Sequence, residues 1–169
     1  MRTVLFLLFI LPTILRAQNS NLIPFVNPLI GTKNAGHTFP GATVPFGSVQ
    51  LSPDTDTIPM LVNGQYQKDV YRYCAGYQYD DSSIVGFSHT HFSGTGHSDL
   101  GDILLMPNSG SIQWNPGTAS QTDKGYRSRF LHQNEQVTAG LYRVFLDEPK
   151  VQVELTSTER VGIHHYQFQ

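Results

Sequence analysis

The sequence predicts an all-β chain folded as an antiparallel β-sandwich, and three observations carry that expectation. Short apolar stretches with period-two alternation recur, as in Tyr126-Arg127-Ser128-Arg129-Phe130 and Val151-Gln152-Val153-Glu154-Leu155. Turn-forming clusters built from 15 glycines and 10 prolines separate them. Apart from the amino-terminal leader, no segment sustains the apolar period of an amphipathic helix.

Taken in order, residues 1–17 carry Arg2, an apolar run from Val4 to Leu11 and a small residue, Ala17, where cleavage can occur. This is the order of a secretory signal peptide, and the run is short of the ~20 residues that span a bilayer. The expected product is exported, periplasmic or extracellular, with no stable membrane span. Residues 18–169 then form the sandwich domain. Pro28 denies a ladder hydrogen bond, so Phe25 to Thr32 reads as an edge strand or an irregular start. Lys33 to Gly47 is too rich in Gly and Pro for a helix and reads as a structured loop, in which His37 is expected to bond local backbone. Val49 and Leu51 belong to a short strand that ends at Ser52-Pro53-Asp54, and Asp54 to Gly64 is a second loop.

Tyr71, Tyr73, Tyr77 and Tyr79 sit at odd positions and on a regular strand would share one face, with Gly76 able to bulge it. Such a face is either half-buried packing or a platform on which a sugar ring stacks its C–H bonds. Cys74 is the single cysteine and reads as packing. Further strands are expected at Tyr126 to Phe130, Leu141 to Leu146, Val151 to Leu155 and Ile163 to Phe168. The chain stops within a strand pattern at Gln169, which predicts a sheet cut short, poor solubility and a fragment of a longer protein.

The stretch from Gly86 to Met106 mixes three histidines, two aspartates and four glycines with apolar flanks. Buried ionisable groups are costly unless paired, so this mixture predicts a polar cluster held against the core. Ile84 to Phe87 and Ile103 to Met106 read as strands buried on both faces, joined through a turn at Ser93-Gly94-Thr95-Gly96. His89 and His91 are two apart and on a strand point the same way. With His97 or Asp99 they can form a hydrogen-bond network, a sugar pocket or a metal site, though His-x-His alone is a weak metal pattern. Charged residues make up 14% of the chain and the net charge is −2 with no basic run, which excludes a phosphate-binding surface and hence nucleic acid.

The runs VNPLIGT (Val26 to Thr32), GHTFPGATVPFGSVQLSPDT (Gly36 to Thr55), GFSHTHFSGTGHSDLGDILLMP (Gly86 to Pro107) and LYRVFLDEPKVQVELTSTERVGIHHYQF (Leu141 to Phe168) resemble the amino-terminal domain of glycoside hydrolase family 92. The resemblance covers nearly everything after the leader. It implies an exported, calcium-dependent exo-acting α-mannosidase that inverts anomeric configuration, acts on mannose-containing glycans, and packs an amino-terminal sandwich against an (α/α) barrel. Inversion needs an acid and a base carboxyl group ~6.5–9.5 Å apart. The resemblance puts both, and most calcium ligands, in the barrel domain, so no catalytic residue and no metal ligand is expected within this chain. It also marks Tyr71, Tyr73, His97 and Asp99 as sugar-contact candidates, with tyrosines where many members carry tryptophan. Two other readings compete with it. One is a free-standing carbohydrate-binding or interaction module; the other is a metal-dependent hydrolase working through His89, His91 and His97.

Overall fold

The computed structural model describes residues 21–56, 61–94, 96 and 101–169. The leader lies outside them, as do His97 and Asp99. Eleven strands and four short 3-10 helices, with no α-helix, make up the described residues. The strands are β1 (Ala42–Thr43), β2 (Gln50–Asp54), β3 (Leu61–Val62), β4 (Gln65–Tyr66), β5 (Ser83–Ile84), β6 (Gly86–Ser88), β7 (Ser128–Arg129), β8 (Glu135–Thr138), β9 (Leu141–Leu146), β10 (Val151–Ser157) and β11 (Gly162–Phe168). Every pairing is antiparallel, in a four-stranded sheet of order β11-β10-β9-β8, a three-stranded sheet of order β1-β2-β6, and the pairs β3-β4 and β5-β7.

Alternation makes the four-stranded sheet one-sided. Tyr142, Val144 and Leu146 of β9 and Val151, Val153 and Leu155 of β10 are all buried, because the register sets Tyr142 opposite Leu155 and Val144 opposite Val153. From the other layer Val49, Leu51, Ile84, Phe87 and Phe130 close the core, with the Phe87 and Tyr142 rings 6.4 Å apart. The same inward rows continue outward to Glu135 and Val137 on β8 and to His164 and Tyr166 on β11. Polar side chains therefore stand at both edges of the apolar face.

At the β8 edge the Glu135 carboxylate accepts from the Tyr77 hydroxyl (2.9 and 3.1 Å), the Tyr142 hydroxyl (2.7 Å) and His132 Nδ1 (2.6 Å). Burial, reinforced by the Glu135 charge, raises both phenols well above their ordinary values, so they stay donors. A short buried carboxylate with three donors is a satisfied network.

Several elements differ from the expectation. Phe25 to Thr32 forms no edge strand: a 3-10 turn at Ile23–Phe25 leads into hydrogen-bonded turns, the irregular start. The segment read as one loop to Gly64 contains the β3-β4 hairpin, turned at Asn63-Gly64, both in the left-handed region (φ 52° and 76°) that this two-residue turn needs. The tyrosine strand does not form. Lys68–Tyr73 is a 3-10 helix whose i+3 bonds run on through Cys74 and Gly76, so the four tyrosines share no face. Cys74 is buried, as packing requires. Arg127, expected outside on its strand, is 3% exposed, because its guanidinium donates to the Thr55 and Asp56 carbonyls and to Ser83 Oγ. Ile103, Leu104 and Leu105 are exposed instead of buried. They bridge Phe87 only at Leu105, and among the described residues no layer covers their outer side.

The centre of the three-stranded layer is a charge pair. His91 is 2% exposed, and both its ring nitrogens face acceptors: Nδ1 the Gln50 carbonyl at 2.7 Å, Nε2 the Asp54 carboxylate at 3.0 Å with Ser88 Oγ at 3.1 Å. Burial lowers its pKa, but the Asp54 charge and the hydrogen bonds more than offset this, leaving the net shift upward. Asp54 also accepts the Ser88 N–H at 3.1 Å. Gly76, at φ 80°, is required beside them, because a Cβ there would run into Asp54 Oδ1 and lie 3.0 Å from the His91 ring.

Two expectations follow from these networks. Glu135→Ala strands two phenols and an imidazole and should cost about 3 kcal/mol, read from urea denaturation; an unchanged midpoint would mean the network contributes nothing. Because the His91 pKa is raised on folding, its contribution is fully present below the unfolded value near 6.5 and is lost as pH rises through the folded value. His91→Gln should therefore lower stability most below about pH 6.5, the gap to the parent narrowing as pH rises above it in parallel denaturation series.

Candidate functional site

The glycine- and proline-rich segment before β1 places His37 in the left-handed region at φ 49°, an uncommon conformation for a residue with a side chain. That backbone turns the ring inward. His37 is 5% exposed, and its Nε2 has no hydrogen-bond partner among the described residues. The hydrogen bond to local backbone expected of this side chain is not made by Nε2. A buried ring nitrogen without a partner costs free energy, and such atoms mark places where another group is received.

Tyr71 packs against it. The two rings meet edge to face with centroids 4.6 Å apart, while 47% of Tyr71 remains exposed. The 3-10 turn produces this arrangement, because it sends successive tyrosines to different sides. Tyr73 is buried, with the Arg72 guanidinium 5.5 Å from its ring centre, and Tyr77 is in the core. Tyr79 stacks on His132 at 4.1 Å. Of the two nominated tyrosines, Tyr71 thus offers an open ring and Tyr73 supports it from within.

The third wall is the turn of the Gly86 to Met106 stretch. The Gly94 N–H donates to the His37 carbonyl at 2.7 Å, and a Cβ on Gly96 would lie 3.7 Å from the Tyr71 ring. His37, Tyr71, Gly94 and Gly96 come together although some 60 residues separate the first from the last. His97 and Asp99 follow directly in sequence and lie outside the described residues. This corner presents an aromatic face, a buried imidazole nitrogen and flexible-backbone glycines, which suits a neutral polyhydroxylated ring: C–H bonds on the phenol face, a hydroxyl on Nε2.

His89 and His91 do not act together. His91 is committed to Asp54, whereas His89 turns to the opposite layer, its Nδ1 donating to the Ile103 carbonyl at 2.9 Å. The strand ends at Ser88, so the alternation that would have aligned the two no longer applies. Among the described residues no group of three or more His, Cys, Asp or Glu side chains is placed to hold a metal ion. Sequence reasoning weighed His37 but not its pairing with Tyr71; the signal available was its position between glycines.

Comparison with known proteins bears on the fold and the family. The glycosyl hydrolase family 92 N-terminal domain matches residues 25–169. A family GH92 α-mannosidase from Bacteroides thetaiotaomicron, solved in complex with mannoimidazole, superposes with a TM-score of 0.79 at 40% identity, covering 88% of this chain and 18% of that one. A family GH92 inverting mannosidase from Bacteroides thetaiotaomicron VPI-5482 has a TM-score of 0.60 at 26% identity, with the same 88% and 18% coverage. An uncharacterized secreted glycosidase from Arthroderma benhamiae is 28% identical over 150 residues, 88% of this chain and 17% of its own length. The chain therefore spans under a fifth of the relatives it matches. No helix among the described residues is long and apolar enough to cross a membrane. A match of this extent over 25–169 places the chain in glycosyl hydrolase family 92, as its amino-terminal domain.

Proposed function

We propose that this chain is the sandwich part of an exported, inverting exo-α-mannosidase that acts on mannose-containing glycans, and that the corner formed by His37 and Tyr71 is one wall of its mannose pocket. The observation that carries the reading is the unpartnered, buried His37 Nε2 beside the half-open Tyr71 ring. The ring supplies a stacking face and fixes orientation, and the imidazole bonds a hydroxyl. Tyr73 holds the 3-10 turn in place. His97 and Asp99, next in sequence to the glycine turn, remain candidates for sugar contact by the family resemblance alone.

The acid and base carboxyl groups that inversion needs belong, on this reading, to a carboxy-terminal barrel domain. So do, by the family resemblance, most ligands of calcium, which when bound would engage sugar hydroxyls as a hard, oxygen-preferring cation. The exposed apolar surface suits such a domain. Ile112 stands beside Leu104 at a groove of about 390 Å³ that Met106 and Tyr126 also line, and Trp114, two residues on, is 86% exposed. A face of this kind is kept on the chain because another layer covers it.

Two experiments test the proposal. The isolated chain, assayed with an aryl α-mannoside and calcium, should release no mannose; measurable turnover would overturn the division of labour. Exchanged for the matching segment of the Bacteroides thetaiotaomicron α-mannosidase, the chain should support activity. Tyr71→Ala in that chimera should then lower kcat/KM about tenfold or more, and full retention of kcat/KM would remove Tyr71 from the pocket.

A further inference from the structure

The rim of the sandwich opposite the Glu135 network holds a second histidine arrangement, unconnected with the sugar corner. His164 lies on the inward row of β11, across from Leu155, and His89 reaches it from the end of β6. Their Nε2 atoms are 3.2 Å apart. His89 donates its Nδ1 proton to the Ile103 carbonyl at 2.9 Å, so its Nε2 carries the lone pair. His164 Nδ1 is 2.7 Å from the Tyr166 hydroxyl, which can act either as donor or acceptor, so His164 can also free its Nε2 lone pair.

We propose that His89 and His164 form a two-imidazole site for an exchangeable divalent transition metal of the Cu²⁺ or Zn²⁺ class, with water completing the coordination. The spacing supports it. Two nitrogens each about 2.0–2.1 Å from a tetrahedral metal lie about 3.3 Å apart. The ring centroids are 4.9 Å apart, close to the about 5.0 Å expected of rings converging on one metal and shorter than the about 5.5 Å of rings set head-on. The supporting bonds are those of metal-bound histidines, whose second nitrogen is fixed by a carbonyl or hydroxyl oxygen. Gly162 makes the approach possible, since a Cβ there would sit 3.0 Å from His89 Cδ2.

Binding requires only that His164 move its proton from Nε2 to Nδ1, with the Tyr166 hydroxyl turning from donor to acceptor. Imidazole pairs favour Cu²⁺ over Zn²⁺ and have little affinity for Ca²⁺, which separates this site from the calcium of the proposed mannosidase.

The test is calorimetric titration of the full chain with CuSO₄, ZnCl₂ and CaCl₂, with electron paramagnetic resonance of the copper form. One saturable equivalent of Cu²⁺, weaker Zn²⁺, no Ca²⁺ at this pair and two-nitrogen hyperfine structure are expected. His89→Asn and His164→Asn should each weaken Cu²⁺ about tenfold or more, while His165→Ala, whose exposed ring pairs with Glu154 on the other face, should not. Since either substitution at the pair can loosen the rim, the parent chain is also followed by histidine ¹⁵N resonances during Zn²⁺ addition. Shifts at both Nε2 atoms support the site. Resonances unmoved at excess Zn²⁺, or copper binding that survives both substitutions, overturn it and leave a hydrogen bond between two rings.

Discussion

The rest of this domain depends on the buried pair of Asp54 and His91. Two charges taken out of water are tolerated only when their partners are complete. Here the completion draws in four separated parts of the chain: Gln50 and Asp54 on β2, Gly76 after the 3-10 turn, Ser88 on β6 and His91 itself. Once they are joined, the directions of the two segments leaving them are set. One runs back from Gly76 to Tyr71, the other forward from His91 to Ser93 and Gly94. The His37–Tyr71 corner lies where those segments meet His37, so its geometry is inherited from the Asp54–His91 pair.

The same principle recurs elsewhere. Glu135 stands on the inward row of β8, where alternation calls for an apolar residue, and is accepted because two phenols and an imidazole reach it. Arg127 is buried for the complementary reason, its guanidinium closing off backbone carbonyls of Thr55 and Asp56. The chain has few charges, yet several of them hold strands and loops together from inside. A tyrosine-rich composition suits this design, since each buried phenol contributes apolar area along with a donor.

Function was readable in part. The Gly86 to Met106 stretch announced a polar cluster against a core, and it is one. The cluster is divided, however, between His91 with Asp54 and His89 with His164. His-x-His spacing could not reveal that division, because it follows from β6 ending at Ser88. The strand expected through Tyr71 does not form, yet Tyr71 is the open ring at the corner. The 3-10 turn exposes it while burying Tyr73, an outcome that period-two reasoning cannot reach.

By itself the sequence determined the antiparallel all-β class, the buried alternation of β9 and β10, and the family, because these rest on local pattern: period two, turn residues and contiguous motifs. The Asn63-Gly64 turn is equally local, yet the reading of Asp54 to Gly64 as a loop passed over the hairpin it makes. Only the tertiary structure decided which polar residues are inside, which face of the Ile103 to Leu105 segment stays open, and which residues meet at the His37–Tyr71 corner. The physical reason is that a buried charge or an unpartnered imidazole is permitted by groups distant in the chain, and no local window contains both partners.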